Sequence, residues 1–487
     1  MTQYATTTAI VGANIGGSHK FGYDIAEHDP RRPTRPSILQ NEDWTLDPSR
    51  RRKVVSSSRD LFRNFSLVTW AIRKHQDYVS KFTFQSKVGD QERDPRFAAM
   101  AEADPEGFRR LNRQIEELVW EWSQPGNLEV TERFSLDQFM RLTEAGRVID
   151  GDVGILKLQN GMLQPILGDR IRSEIGMNTE NVIHGVRINE FQKPIGYRVC
   201  RRTRSGNFVF EREIDAKNMI LHGYFTSFEQ VRGISPLIQA IRSFTDVYDS
   251  FDYALVKAKI SQLLGFKFTT ATDSLDDLGE DERTEEMNRR REYRRKVLKG
   301  KAAYMLEMSE GEDAEMIEST TPSNQFQDYM RLIIMVSLKA LDIPFGMFDE
   351  TKGNFYGNRS GIVQYVESCE SKRADNAVLL TNLTRWRLAF EVLRGRLVLP
   401  AGMTVSDLYL VWTPNGLPWW DAEKESKGLY ATVQYGFASH SEICQKMGKD
   451  FFEVCRQRKI DEDYARSLGI TLPTMTASQD TTVNVSM

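Results

Sequence analysis

NQFQDYMRLIIMVSLKALDIPFGMFDETKGNFYGNRSGIVQYVESCESKRADNAVLLTNLTRWRLAFEVLRG, residues 324–395, is the stretch whose reading decides the fold. Phe326, Met330, Ile333, Ile334, Ser337 and Leu341 recur at helical spacing. Asp342-Ile343-Pro344 ends that helix, because the residue before a proline is pushed out of the α region. A polar, glycine-bearing loop is predicted over residues 350–361. A longer amphipathic helix follows, with Ile362, Tyr365, Val366, Cys369, Leu379, Leu383, Trp386, Phe390 and Leu393 on one stripe. A flexible basic loop strung between two packed helices is a device for touching something mobile. It is not obviously one for making or breaking bonds.

Working outward, Ser235-Pro236 supplies a cap and a first-turn proline for a further helix. That helix carries Leu237, Ile241, Phe244, Tyr248, Phe251, Leu255 and Ala258, to about Leu264. Strands are predicted at 267–270 and 302–306, flanking a charged insert over 274–300. Upstream, Asp150-Gly151-Asp152 predicts a turn, 153–158 a strand and Asn160-Gly161 a hairpin. Further strands are predicted around 181–188, 195–201, 208–214 and 219–222.

Before this β-rich part come three amphipathic helices. One starts near Ser56 (Leu61, Phe65, Val68, Ala71, Ile72), one covers about 105–122 (Phe108, Leu111, Ile115, Leu118, Val119), and one is capped by Ser135 (Leu136, Phe139, Met140, Leu142). Residues 1–50 lack periodicity and predict an extended arm, with order beginning near Ser56. Downstream, a strand at 407–412 precedes a compact helical unit over about 421–470, and the Thr/Ser-rich tail 471–487 is expected to be disordered. The pattern is α+β, without an internal repeat.

At 487 residues the chain is long enough for two to four units with real cores. Its formal net charge of −3 advertises no global nucleic-acid binder, so any DNA contact must come from local patches. Cys200, Cys369, Cys444 and Cys455 each sit in apolar patterns and are expected to be buried free thiols. No segment approaches the roughly 18–20 apolar residues of a membrane span, and no secretory signal is visible. A cytoplasmic protein is expected.

Catalytic chemistry is sparse. Gly12-Ala13-Asn14-Ile15-Gly16-Gly17 lacks the Lys-Ser/Thr of a phosphate loop. The histidines show no paired ligand spacing; His184 and His222 fall in the β-rich region and are read as structural. Asp246, Asp249 and Asp252 drift around their helix as a solvated acidic face. No catalytic residue, cofactor or metal is expected. Residues 280–299 run from acid to base, with Glu285–Arg289, Glu286–Arg290 and Glu292–Lys296 at i,i+4. Arg289, Arg290, Arg291, Arg294 and Arg295 are thus either one side of a self-stabilised exposed helix or a docking surface for an acidic partner or DNA. In the loop over 350–361, Lys352 and Arg359 are cations, Asn354 and Asn358 neutral donors, and Phe355 and Tyr356 aromatics. That mixture suits sliding phosphate contact without base reading, and an ordinary surface loop would tolerate it too.

The order of these elements resembles the portal proteins of tailed bacteriophages, specifically the lambda-type portal family. The resemblance is carried by Ser58-Arg59-Asp60-Leu61-Phe62-Arg63-Asn64, by Gly146-Arg147-Val148-Ile149-Asp150-Gly151-Asp152, and by Lys193-Pro194-Ile195-Gly196-Tyr197. Gln230-Val231-Arg232-Gly233-Ile234-Ser235-Pro236, Asp342-Ile343-Pro344-Phe345 and Trp420-Asp421-Ala422-Glu423 extend it, so that it covers about 56–470. The loop departs from the family's usual Asn-Tyr-Ser-Ser-x-Arg by reading Asn354-Phe355-Tyr356-Gly357-Asn358-Arg359. Ala422 stands where an Asp-Pro pair is common.

The resemblance implies a portal fold assembled as a ring, typically of twelve subunits, at one vertex of the capsid. A flexible arm (1–55), a wing (56–234), a stem helix (235–266), a clip (267–322), a second stem helix (323–344), the loop, long helix and rest of the wing (345–419), a crown (420–470) and a tail (471–487) would follow in order. Double-stranded DNA would pass through an axial channel lined by Asp246, Asp249 and Asp252 and touched by Lys352, Asn354, Tyr356, Asn358 and Arg359. Arg289, Arg290, Arg291, Arg294 and Arg295 would form the clip surface that docks the terminase large subunit and later a head-completion or adaptor protein. The major capsid protein would be a further partner, and no membrane is involved. The ring would be assembled in the host bacterial cytoplasm and kept in the virion. Packing between neighbouring stem helices would explain why 329–341 is apolar nearly all round. The rival readings are a phage-encoded DNA-processing enzyme and a capsid scaffold protein.

Overall fold

The computed structural model describes residues 41–89, 95–173, 178–262, 266–270, 285, 312–316, 324–349, 355–416 and 422–470. The chain is helical well before Ser56. Asn41 caps a single turn, α1 (Glu42–Thr45), and Asp47 caps α2 (Pro48–Asn64) by accepting from the Ser49 and Arg50 amides. The Asp47-Pro48 start signal lies inside the segment whose lack of periodicity predicts an arm. Next come α3 (Ser66–Val79), β1 (Phe82–Ser86), α4 (Pro95–Ala103), which the sequence reading lacked, and α5 (Pro105–Trp122). Ser135, the expected N-cap, also forms a capping box with Gln138 at the start of α6 (Leu136–Asp150).

The β-rich part forms two antiparallel sheets. β2 (Asp152–Lys157) turns back through Asn160-Gly161 into β3 (Leu163–Leu167). The second sheet is a meander of β4 (Val182–Ile183), β5 (Val186–Ile188), β6 (Pro194–Arg202) and β7 (Phe208–Asp215). β8 (Met219–Gly223) then pairs with the free edge of β2, setting His222 opposite Val153. The inward side chains of these strands, among them Ile166, Val186 and Val199, make one apolar core with Ile171 from the segment after β3.

Ser235 accepts from the Leu237 amide, but the first turn, Pro236–Gln239, is a 3-10 helix, and α7 (Ile241–Gln262) starts after it. β9 (Phe266–Thr270) pairs antiparallel with β10 (Glu312–Met316). That pairing was not legible, since Glu-Asp-Ala-Glu-Met has no β-branched or aromatic residue. The strand predicted at 302–306 lies outside the described residues. α8 (Asn324–Leu338) runs on through a 3-10 turn to Leu341 and stops where Asp342 adopts a left-handed φ of 60°.

The longest element, α9 (Phe355–Leu393), has 39 residues and is therefore about 58 Å long. It absorbs 355–361, the second half of the expected loop. Gly361 is tolerated there because its bare Cα faces Pro344, where an added Cβ would come within 3.1 Å of the proline Cβ. The apolar stripe also drifts. Tyr365 and Cys369 join a core with α2, α3, α7 and α8, while Leu379, Leu380, Leu383 and Leu388 join a second core with α5 and α6. Leu393, assigned to the stripe, is 87% exposed. One rod thus belongs to two cores.

β11 (Leu410–Pro414) closes on β1, stacking Trp412 against Phe84 with ring centroids 4.9 Å apart. The C-terminal unit is α10 (Ala422–Gln434), α11 (His440–Lys446) and α12 (Phe451–Ser467), and Ala465 is the one buried residue of α12. Cys200 and Cys369 are buried as expected. Cys455 is exposed and Cys444 half-buried, because these short helices cover so little surface. Among the described residues no helix is long and apolar enough to cross a membrane.

Candidate functional site

The junction between the sheets and α7 is built on Arg232, which lies in the turn after β8. Its Nε and Nη2 donate to the two Asp152 carboxylate oxygens, both at 2.7 Å. Nη2 also donates to the Gly168 carbonyl, and Nη1 to the carbonyls of Ile171 and His184 at 2.6 and 2.7 Å. All five guanidinium donors are therefore satisfied inside the protein. Asp152 further accepts from the Gly233 amide at 2.9 Å and from Arg51 Nη2 at 3.3 Å. Burial alone would raise the Asp152 carboxyl, but the charges of Arg232 and Arg51 outweigh it and hold the pKa below its ordinary value. Gly151 and Gly233 make the approach possible, since a Cβ on Gly151 would stand 2.5 Å from the Gly233 carbonyl oxygen. The strand start, the helix lead-in and α2 are bound into one node.

A second buried network lies beneath α9. Glu144 accepts from the Tyr224 hydroxyl at 2.6 Å and stands 3.1 Å from His75 Nε2, while its other oxygen accepts from Asn376 Nδ2 at 3.2 Å. Arg147 lies 3.9 Å over the Tyr224 ring, with Nη1 2.8 Å from His222 Nε2 and Nη2 donating to Asp375 at 2.9 Å. Burial pushes Glu144 upward, yet the hydrogen bond from His75 and the Arg147 charge keep its carboxyl far below the usual range. His222 is pushed down to about 4, by burial first and then by Arg147. His184 is likewise pushed down to about 4, by burial and by the charges of Arg51 and Arg232. The two histidines belong to separate networks, and each is held neutral near pH 7.

Both networks escaped the sequence reading. The signal present was an oddity of pattern: Glu144 and Arg147 fall among the apolar positions of α6, where a charged side chain requires a buried partner.

The residues singled out from the sequence lie elsewhere. Asp246, Asp249 and Asp252 are exposed on α7. Beside them Phe251, Tyr253, Leu255 and Val256 also face outward, as do Tyr329, Leu332, Met335 and Val336 on α8. Two adjacent helices therefore present an apolar surface studded with carboxylates. Asn358 and Arg359 are on the first turns of α9 rather than in a loop, and Arg359 Nη2 stands 3.3 Å from Glu425 Oε1 at the start of α10. Tyr356 belongs to the same first turn, with its side chain outside the described residues. Lys352, Asn354, Arg289, Arg290, Arg291, Arg294 and Arg295 all lie outside them. Among the described residues no group of three or more His, Cys, Asp or Glu side chains is placed to hold a metal ion.

An α+β frame in which α7 and α8 turn apolar side chains outward presents the kind of surface that a partner usually covers, as in proteins of assemblies. The model of the family described as phage portal protein, lambda family, matches residues 40–373. The chain belongs to the lambda family of phage portal proteins. It is 23% identical over 393 residues to a probable portal protein of Halomonas phage phiHAP-1, covering 74% of this chain and 72% of that one. Among solved structures, a chain of the native gene transfer agent virion matches at TM-score 0.46 and 14% identity, covering 82% of this chain and 94% of that one. An HK97-family portal protein from Corynebacterium diphtheriae matches at TM-score 0.30 and 14% identity, over 62% and 84%. The family is one of structural proteins, and its function is that of this chain: a channel for phage DNA at the portal vertex.

Proposed function

We propose that the chain works as a closed ring, of twelve subunits as the family resemblance implies, with α7 and α8 as the stem packed against their counterparts in neighbouring copies. The outward apolar faces of these two helices carry the proposal. In a monomer, Tyr253, Val256, Tyr329 and Val336 stand more than half exposed, which soluble monomers rarely tolerate as a contiguous patch. Side-by-side packing covers them and leaves Asp246, Asp249 and Asp252 free to line the axis. An acidic wall repels a passing duplex and keeps it from sticking.

Contacts that hold the DNA come from Lys352 and Asn354 ahead of α9 and from Tyr356, Asn358 and Arg359 on its first turns. Arg359 is 38% exposed, so its pair with Glu425 is worth at most about 1 kcal/mol and is readily exchanged for a phosphate. The arginines at 289–295 dock the terminase large subunit during packaging and a head-completion or adaptor protein afterwards. The wing meets the major capsid protein, and the ring is built in the host cytoplasm before its place in the virion is taken.

Negative-stain imaging of the purified protein tests the assembly. Annular particles with a central hole are expected from the wild type, and their loss in a Leu332→Glu/Val336→Glu variant that keeps its helical circular dichroism. A wild type that stays monomeric, or forms shells or sheets, overturns the proposal. Divalent-metal-dependent DNA cleavage would favour the enzyme reading instead.

A further inference from the structure

A cavity of about 320 Å³ opens between α2 and the β6–β7 hairpin. Its walls carry Arg51, Arg52, Arg59, Arg63, Arg172 and Arg202, against a single carboxylate, Asp169. In a chain of formal net charge −3, this is a sharply local concentration of positive charge.

The arrangement follows from the sequence. Arg52, Ser56, Arg59 and Arg63 are spaced four, three and four apart, so they form one row along α2, about 16 Å long. Three of the cations are fixed from behind. Arg59 donates through Nε to Asp150 at 2.8 Å and through Nη1 to Asp169 at 2.9 Å, Arg202 pairs with Asp169, and Arg51 donates to the Gly233 carbonyl. The Arg172 guanidinium carbon lies 4.4 Å from the centre of the Phe208 ring. Arg52, Arg63 and Arg172 have no carboxylate partner among the described residues. Burial, and then the charge of Arg52, hold the Arg172 guanidinium below its ordinary pKa. Converging cations without counter-charge cost free energy that a bound anion would relieve.

We propose that this cleft is a nucleic-acid site outside the channel, which takes the phosphodiester backbone of one strand. A row of about 16 Å, with a basic position at each end and one between, matches a run of roughly two or three successive phosphates of one strand. The wall consists of guanidinium forks rather than base-reading Asn or Gln pairs, which makes the contact independent of sequence. An acidic protein segment fits less well. Such a partner needs an apolar anchor pocket, whereas Val55 and Ile171 are buried and Phe208 is already covered by guanidinium. The inference does not depend on the channel assignment.

The test is fluorescence polarisation of a labelled duplex with the full-length protein, titrated between about 50 and about 200 mM salt. Arg52→Ala/Arg63→Ala/Arg172→Ala is expected to weaken binding at least tenfold at the low end and to make the slope of log affinity against log salt shallower by about 0.9 per arginine removed. Arg52→Ala/Arg63→Ala, which leaves the Phe208 contact intact, is expected to show about two-thirds of that change in slope. Replacing all three by Lys is expected to retain most of the affinity, since charge rather than base reading binds. Lys352→Ala/Arg359→Ala serves as the channel control and should leave the cleft's share of the slope intact. The proposal is overturned if the Ala variants bind the duplex with unchanged slope, if only inorganic phosphate binds, or if they alter oligomeric state rather than duplex affinity, which would assign the cleft to another copy of the chain.

Discussion

Arg232 and Asp152 meet as a bidentate pair, with both contacts at 2.7 Å and both side chains wholly buried. The pair sits where the chain leaves the sheets and starts the helix assigned to the stem. The lead-in to α7 is therefore tied to the start of β2 by buried polar contacts. The Gln230-Val231-Arg232-Gly233 motif has a physical reason in this: only a planar five-donor group can satisfy Asp152 and three carbonyls at once.

Arg232→Ala should strand Asp152 in the core, at a cost of about 3–5 kcal/mol. Arg232→Lys should recover little, having three donors and no fork. Urea denaturation followed by tryptophan fluorescence measures both. An Arg232→Ala midpoint equal to wild type would remove the node from any role in stability.

Acid should unfold the protein in two stages. His184 and His222 have folded pKa values of about 4 against the ordinary 6.5. Below pH 6.5 the unfolded chain takes up protons that the folded chain refuses, so stability falls as pH drops towards 4, by on the order of 3 kcal/mol per histidine at most. Glu144 and Asp152 are also depressed, and their contribution, present above the ordinary carboxylate range, is lost below it. His184→Asn/His222→Asn should flatten the first stage and leave the second; Asn suits position 184, where φ is 47°. Denaturation midpoints taken between pH 7 and pH 3 decide it, and an unchanged first stage in the double variant would refute the assignment.

What was legible in the sequence was what one element decides alone. The Ser135 cap, Asn160-Gly161 and the stop at Asp342-Ile343-Pro344 are local signals, and the structure uses each of them. The start of α9 differs from the expected one because Gly357 and Gly361 read as loop, and only the packing of Gly361 against Pro344 shows why helix continues through that position. Arg232 with Asp152 and Glu144 with His75 are separated by 80 and 69 residues. No spacing rule reaches that far. The cleft arginines were in plain view on α2, but they belong to a site only once the β6–β7 hairpin stands opposite.

The C-terminal unit should be held by a modest latch. Lys87 Nζ donates to Asp450 Oδ2 at 2.6 Å, and the other Asp450 oxygen caps α12 by accepting from the Glu453 amide at 3.0 Å. Asp450→Ala loses both and should destabilise the unit by about 1–2 kcal/mol, whereas Asp450→Asn keeps the cap and loses only the ion pair. Hydrogen exchange over 422–470 should speed up more in the Ala variant than in the Asn variant. Equal protection in all three proteins would mean that the unit is held elsewhere.

Glu425 should act as a competitor for DNA at the start of α9. Its carboxylate holds Arg359 at 3.3 Å, so a phosphate must displace it before the arginine can contribute. An exposed pair of this kind is worth about 0.2–1 kcal/mol, which sets the gain from Glu425→Gln at no more than about fivefold in duplex affinity at low salt. The gain should vanish in Glu425→Gln/Arg359→Ala and shrink as salt rises, because it is carried by one phosphate contact. Polarisation titrations of the three variants separate this from a change in fold. If Glu425→Gln tightens binding equally with and without Arg359, removal of a negative charge is sufficient explanation, and Arg359 has no part in holding the duplex.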